Sequence, residues 1–252
     1  MSRDTPLPTV RARRMLVLVL PLLAFTSGCT DGGEQAGSDP STPPPATASA
    51  PSGQADQPSP TPSTQVTIPT SAFVELPPEM QKSPRRTTPV ADALPKLCAN
   101  EFGTGGRQVT ASASMTLTYK EPDDPESNVP QGLIHQTIFT FDGDGAADHL
   151  RRVRASVQAC PSYKQAGNPV TVESRALPGV GDEALLVTRA WAETNLNGER
   201  TGGDGSNQIV VARVDSVVTV FHDQGWEGAS GNPAIMDRAV RDGVRTIDAW
   251  QR

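Results

Sequence analysis

Residues 108–119 alternate with a period of two. Val109, Ala111, Ala113, Met115, Leu117 and Tyr119 fall on one side, and Thr110, Ser112, Ser114, Thr116 and Thr118 on the other. Successive side chains of a strand point to opposite faces, so the pattern predicts a half-buried β-strand. The polar stretch 121–130, with Pro122 and Pro125, reads as a turn, and 133–141 as a second strand that pairs with the first in an antiparallel hairpin. At 146 the period changes. Ala146, Leu150, Val153, Val157 and Cys160 recur at spacings of three and four, the apolar stripe of a helix. Arg151, Arg152 and Arg154 lie on its other side, and Pro161 stops it. Residues 168–175, 183–191 and 207–221 read as strands, the last carrying an Asp215-Ser216 turn signal that would divide it in two. A helix over 233–250 closes the chain, with Ala239, Val240, Val244 and Ile247 on its apolar face. A shorter helical segment is expected within 89–102, with Leu94, Leu97 and Cys98 on one side. Together these elements predict an α+β domain over 89–252: an antiparallel sheet of about six strands with helices packed on one face.

Upstream of residue 89 no apolar period recurs. Segments such as Ser41-Thr42-Pro43-Pro44-Pro45 and Pro58-Ser59-Pro60-Thr61-Pro62 cannot bury enough surface to offset the entropy of ordering. Residues 29–88 are therefore expected to be a disordered, Pro/Ser/Thr-rich linker. At up to ~3.1 Å per residue in a polyproline conformation, such a tether reaches on the order of 100 Å.

Residues 1–28 carry a different signal. Arg3, Arg11, Arg13 and Arg14 precede an apolar run over 15–25 that is short for a membrane span and suits a signal peptide. Thr26-Ser27-Gly28-Cys29 then resembles a lipobox, in which small residues admit the peptidase and the cysteine thiol takes a diacylglycerol. Thr26 stands where leucine is usual, and the alternative is ordinary cleavage near the same place. Lipidation at Cys29 supplies two acyl chains, enough for stable attachment to the outer face of the membrane. The expected localisation is the cell membrane, lipid-anchored and facing outward.

Composition narrows the chemistry. Aromatic residues make up only 4% of the chain, so its core must rest on aliphatic side chains. The formal charge of −6 and the lack of a basic stripe interleaved with aromatics speak against nucleic-acid binding. Three cysteines are present. With Cys29 assigned to the lipid, Cys98 and Cys160 remain inside the folded region. Export to an oxidising space favours a disulfide between them, two buried free thiols being the alternative. Such a bridge closes a loop of roughly 60 residues and contributes about 4 kcal/mol by loop entropy.

Asp142, Asp144 and Asp148 are the weak candidates for a metal. Their spacing is that of a calcium loop, but the distal glutamate and further oxygen ligands are missing. The competing reading is a strand-to-helix turn with Asp144 as helix cap. Gly179-Val180-Gly181-Asp182-Glu183 precedes a strand, so it reads as a turn or bulge with Asp182 and Glu183 solvated, not as a phosphate loop. His135, His149 and His222 show no metal-ligand spacing. Trp191 and Trp226 would stack on a ligand or, more simply, pack at the rim of the core. No catalytic residue and no cofactor is expected.

The order of the landmarks resembles a known family. Leu97-Cys98 is followed by a strand pair, a helix ending in Cys160, the run Leu177-Pro178-Gly179-Val180-Gly181-Asp182-Glu183-Ala184, a valine-rich hairpin with Arg213-Val214, and an alanine-rich last helix. This is similar to the PknH-like extracellular sensor domain found on actinobacterial receptor kinases and on free lipoproteins. The resemblance implies an α+β domain with a cleft that binds an extracellular ligand. The chain carries one cysteine pair where the kinase members typically have two, and no ligand-binding residue transfers. The resulting expectation is a non-enzymatic ligand-binding or sensor-like module on a lipid anchor, its partners the membrane and either a small envelope ligand or a membrane protein. The alternatives are a lipid or glycolipid carrier, with the sheet curled around an apolar cavity, and a cell-wall enzyme, with carboxylates or histidines converging in a cleft.

Overall fold

The computed structural model describes residues 66–99, 101–103, 106–195 and 197–252. The expected signal peptide, Cys29 and most of the expected linker lie outside the described residues.

Eight strands form one antiparallel sheet in the order β1-β2-β3-β8-β7-β6-β5-β4. They are β1 Gln81–Thr87, β2 Val109–Tyr119, β3 Gly132–Phe141, β4 Ser162–Gln165, β5 Asn168–Ala176, β6 Glu183–Thr194, β7 Arg200–Val214 and β8 Val217–Gly225. Two meanders, β1-β2-β3 and β4-β5-β6-β7-β8, join where β3 pairs with β8, with Gly132 opposite Gly225 and Thr140 opposite Val217. The predicted β2–β3 hairpin is present, with Tyr119 opposite Gly132. Asp215-Ser216 does divide β7 from β8, and Asp215 takes a positive φ of 48° there.

The class is as expected, and two details differ. The two unexpected strands, β1 and β4, are the edges of the sheet. One contains Pro84 and three cations, and the other has four residues. Edge strands are kept short, charged or proline-bearing so that they do not template further pairing, and such residues erase the alternation that reveals a strand.

The helices also lie on opposite faces instead of one. Helix α2, Gly145–Gln158, buries Ala146, Leu150, Val153 and Val157 with Phe139, Leu185, Ile209, Val211 and Val220. Helix α3, Pro233–Gln251, buries Met236, Ala239, Val240, Val244 and Ile247 with Ile134, Ile138, Leu186, Val210, Ala212 and Phe221. Consecutive residues of β7, Ile209 to Ala212, thus feed the two cores in alternation. A strand covered on both faces reads as a continuous apolar run, which hides the second layer from a period-two reading. On β2 part of the expected polar face is likewise covered: Ser114 and Thr116 are each 2% exposed, whereas Ser112 stays exposed. Asn232 caps α3 by accepting from the amides of Ala234 and Ile235, with Pro233 at the first helical position.

The folded body starts before residue 89. Ala72, Phe73, Val74, Leu76 and Met80 are buried in the α3-side core. The amide of Val74 donates to the buried side-chain oxygen of Gln136 at 2.8 Å. Residues 66–88 therefore form a strap and an edge strand, which corrects the expected linker boundary at 88. Five apolar residues interleaved with prolines bury a face without any helix or strand period to announce it. Helix α1 is likewise shorter than expected, Val90–Ala93, because Pro95 holds Leu94 in an extended conformation with ψ of 135°.

Among the described residues no helix is long and apolar enough to cross a membrane.

Candidate functional site

The best-formed cavity sits where the strap meets the edge strand. It holds about 260 Å³ and is lined by Glu75, Leu76, Gln81, Ser83, Pro84, Arg85, Leu117 and Thr118. Its geometry follows from β1. Between Gln81 and Arg86 the register with β2 slips twice, which marks two β-bulges. A bulge bends its strand and re-aims side chains. Arg85 donates from Nη1 to the carbonyls of Phe73 at 2.7 Å and Val74 at 3.1 Å, and pairs through Nη2 with Glu75 at 2.6 Å. The arginine side chain is 18% exposed and the glutamate 68%. A largely covered guanidinium therefore faces a carboxylate that stands mostly in water, beside the buried side chains of Leu76 and Leu117. A second, shallower groove lies between α3 and the strap, lined by Ser71, Asp242, Arg245, Thr246, Ala249 and Trp250.

A buried polar cluster occupies the α2-side face of the sheet, at the end that α1 covers. Arg189 on β6, 7% exposed, donates from Nε to Asn207 Oδ1 at 2.7 Å and from Nη2 to His222 Nε2 at 2.7 Å. Among the described residues no carboxylate forms an ion pair with it. His222 is 4% exposed, and the side-chain nitrogen of Gln224 lies 3.2 Å from its Nδ1. Burial, and then the charge of Arg189, hold its imidazole well below the ordinary range. His135 lies opposite His222 on β3, ring centroids 5.9 Å apart, and is lowered by burial and by Arg86. The third histidine, His149, is 2% exposed between Phe139 and Phe141, and burial with Arg152 nearby lowers it to about 4.

On the opposite face Asp223 is 1% exposed. The Tyr119 hydroxyl donates to its Oδ1 at 3.0 Å, while Oδ2 has no partner. Burial pushes this carboxyl up to about 7, against the favourable bonds from Tyr119 and from the amide of Asn232. Burial and the Asp223 carboxylate together raise the Tyr119 hydroxyl. A Cβ on Gly231 would lie 1.9 Å from Oδ2, so glycine is required where the chain closes over this acid.

The sequence-level candidates fall into place unevenly. Cys98 and Cys160 are joined, with Cα atoms 5.9 Å apart. Glu101 braces the bridge by accepting from the amides of Cys98 and Ala99. Asp142 and Asp144 are exposed at the β3–α2 turn, and Asp148 pairs with Arg151 at 2.6 Å. Asp144 occupies the cap position of α2 but makes no side-chain capping bond, so that expectation does not hold.

Asp182 and Glu183 are not merely solvated. Asp182 accepts from Arg213 Nη1 at 2.9 Å and from the Asp215 amide at 2.8 Å, fastening the β7–β8 turn, and Glu183 pairs with Arg154 of α2 at 2.5 Å. The Gly179–Glu183 run thus serves the fold. Trp191 and Trp226 are half-buried and line neither cavity. Sequence reasoning missed Glu75, Arg85, Arg189 and Asp223. Only Arg189 and Asp223 left a trace, as charges inside strands otherwise rich in Val, Leu and Ala.

The chain is similar to one solved structure, the crystal structure of the extracellular domain of PknH from Mycobacterium tuberculosis, at 12% identity and a TM-score of 0.41. The match covers 68% of this chain and 80% of that one. It is a domain of the kind the landmarks around Leu177–Ala184 resemble, but a likeness this slight carries neither fold nor function. No family profile matches the chain, and no curated protein does.

Proposed function

We propose that the chain is an outward-facing envelope lipoprotein, anchored through Cys29, whose disulfide-linked body is a non-enzymatic module that binds a small carboxylate-bearing ligand at the strap–edge pocket. The pocket carries this reading. Its covered arginine already holds a carboxylate, that of Glu75, whose exposed position makes it a weak competitor in water. Leu76, Leu117 and Pro84 offer a small apolar floor, and Gln81, Ser83 and Thr118 surround it with polar groups. A pocket of a few convergent polar groups over an apolar floor is the usual form of a small-molecule site. The Cys98–Cys160 bridge supports an oxidising compartment, and the signal and lipobox-like segment support the anchor.

The carrier reading finds less support. Both faces of the sheet are filled by side chains of the two cores. The enzyme reading needs a cleft, whereas His135 and His222 converge beneath α1, away from both cavities.

Two experiments test the two halves. Cells fed labelled palmitate should label the wild-type chain and not Cys29→Ala; an unlabelled wild type sinks the anchor. For the pocket, N-acetylated amino acids titrated into the full chain should shift amide resonances around residues 75–85 and 117–118. Arg85→Gln should abolish those shifts. Shifts that survive the substitution, or that never occur, refute the site.

A further inference from the structure

The Cys98–Cys160 bridge has a third chemical group beside it. The sulfur of each cysteine and a carboxylate oxygen of Glu101 all lie within 4.8 Å of one another. Glu101 is 7% exposed. Its Oε1 accepts from the amides of Cys98 at 3.0 Å and Ala99 at 2.8 Å, whereas its Oε2 is buried without a hydrogen-bond partner. Closing that turn needs one neutral acceptor, which a glutamine would supply. A buried carboxylate with an idle oxygen calls for a further reason. Beside two sulfurs it completes a metal-ligand set, once the sulfurs are thiolates.

We propose that reduction of the Cys98–Cys160 bridge turns this cluster into a zinc site, with the two thiolates and the Glu101 carboxylate as its ligands.

The donor set selects the metal. Two soft thiolates and one carboxylate suit zinc and not the hard, oxygen-seeking cations. In a tetrahedral zinc site, sulfur at ~2.3 Å and oxygen at ~2.1 Å from the metal lie roughly 3.6–3.8 Å from one another. The cluster is already that compact, and Cα atoms 5.9 Å apart give two such sulfurs room without moving the backbone. The ligands also stay in place when the bridge opens. Leu97 and Phe102, on either side of Cys98 and Glu101, are buried in the α2-side core. Cys160, 1% exposed, directly follows the last residue of α2, and its amide bonds the Val157 carbonyl. That is the negative end of a helix dipole, which favours a cation. Cys98 is exposed, so a water can reach the fourth position from its side. The cluster shares no residue with the strap–edge pocket, so this site stands apart from that reading.

The redox step needs a dithiol. One of its thiolates attacks the exposed Cys98 sulfur, the bond to Cys160 breaks, and Cys160 leaves with a proton from solvent. The second thiol of the reductant then displaces Cys98, and the reductant departs as a disulfide, having given up two electrons. Zinc binding releases both cysteine protons to solvent and forms two zinc–sulfur bonds and one zinc–oxygen bond.

Cobalt(II) reads the site directly, because thiolate ligands give it a charge-transfer band and a tetrahedral field intensifies its visible bands. The full chain is taken in detergent micelles with Cys29→Ala, which leaves Cys98 and Cys160 as its only thiols. A phosphine reduces it, taking up the oxygen of one water as the disulfide opens, and is then removed without air. One equivalent of cobalt should give both signals, and one equivalent of zinc should abolish them. The oxidised chain should show neither. Glu101→Gln keeps an oxygen for the Cys98 and Ala99 amides and should weaken zinc binding on the order of tenfold or more. A turn-closing role alone would leave affinity and spectrum unchanged. Since the ligands converge only in the fold, zinc should also raise the urea midpoint of the reduced chain, or restore the sheet if reduction unfolds it. A reduced chain without the cobalt signals overturns the site. So does a urea midpoint indifferent to zinc, or a Glu101→Gln variant that binds as tightly with the same spectrum. The cobalt and urea readings decide the matter even if that variant fails to fold.

Discussion

Asp223 makes stability depend on pH in a direction opposite to most acids. In the unfolded chain its carboxyl titrates near the ordinary 3.8, and in the folded chain near 7. The folded state therefore binds the proton more tightly. Its stabilising contribution is complete below about 4 and is lost as pH rises through 7. Roughly three pH units at about 1.4 kcal/mol each give a loss on the order of 4 kcal/mol across that window. Asp223→Asn removes the titration while keeping an oxygen to accept from Tyr119. Its new amide takes the place of Oδ2, which has no partner, and that fixed cost is the same at every pH. The informative quantity is thus the difference in unfolding free energy between the two proteins, read from urea titrations at several values from about pH 4 to about pH 8 with the disulfide intact. The asparagine variant should gain on the wild type steadily as pH rises. A difference that stays constant would mean that Asp223 is ionised in the fold as freely as in water, and the burial argument would fail.

His149 tilts the profile the other way. Its folded value near 4 lies below the ordinary 6.5, so stability falls as pH drops through that interval, by roughly 3 kcal/mol. His149→Phe, stacked between Phe139 and Phe141, should remove this acid sensitivity in the same urea titrations. Replacing Cys98 and Cys160 together by serine reopens a separation of 62 residues. It should cost about 4 kcal/mol, read as a lower urea midpoint. Gly181→Ala places a Cβ 2.3 Å from the Arg213 carbonyl at a φ of 57°. It should destabilise by about 1–3 kcal/mol, whereas Gly179→Ala, with open space around it, should cost less.

The readable parts of the fold were those in which one physical demand acted alone. The α2 stripe from Ala146 to Val157 serves a single core, and the alternation on β2 marks a strand whatever lies above it. Where two demands met, the pattern blurred. Ile209 to Ala212 serve two cores at once and look like any apolar run. On β1, Pro84 and its neighbouring cations answer to the exposed edge and leave no period. Phe73, Val74 and Leu76 were legible only as apolar residues among prolines, because a strap packs by shape and follows no repeat. The same contrast explains the sites. The Gly179–Glu183 run caught the eye because glycine and acid cluster in sequence, and its charges prove to fasten a turn and a helix.

The groups with free valence for function came together only through long-range pairing. Glu75 meets Arg85 across a bend, and Arg189 meets His222 across three strands. Their common feature is energetic. Each puts a charge where the surrounding sheet would be more stable without one, since a buried guanidinium facing a neutral imidazole gains little and costs desolvation. A methionine at 189, of similar volume and without charge, would fill that space at no electrostatic cost. A fold that draws most of its core from valine, leucine and isoleucine had an apolar replacement to hand there. The charge buried at Arg189 and the one covered at Arg85 therefore mark two places where the fold forgoes apolar packing, one on the α2-side face of the sheet and one at its edge strand.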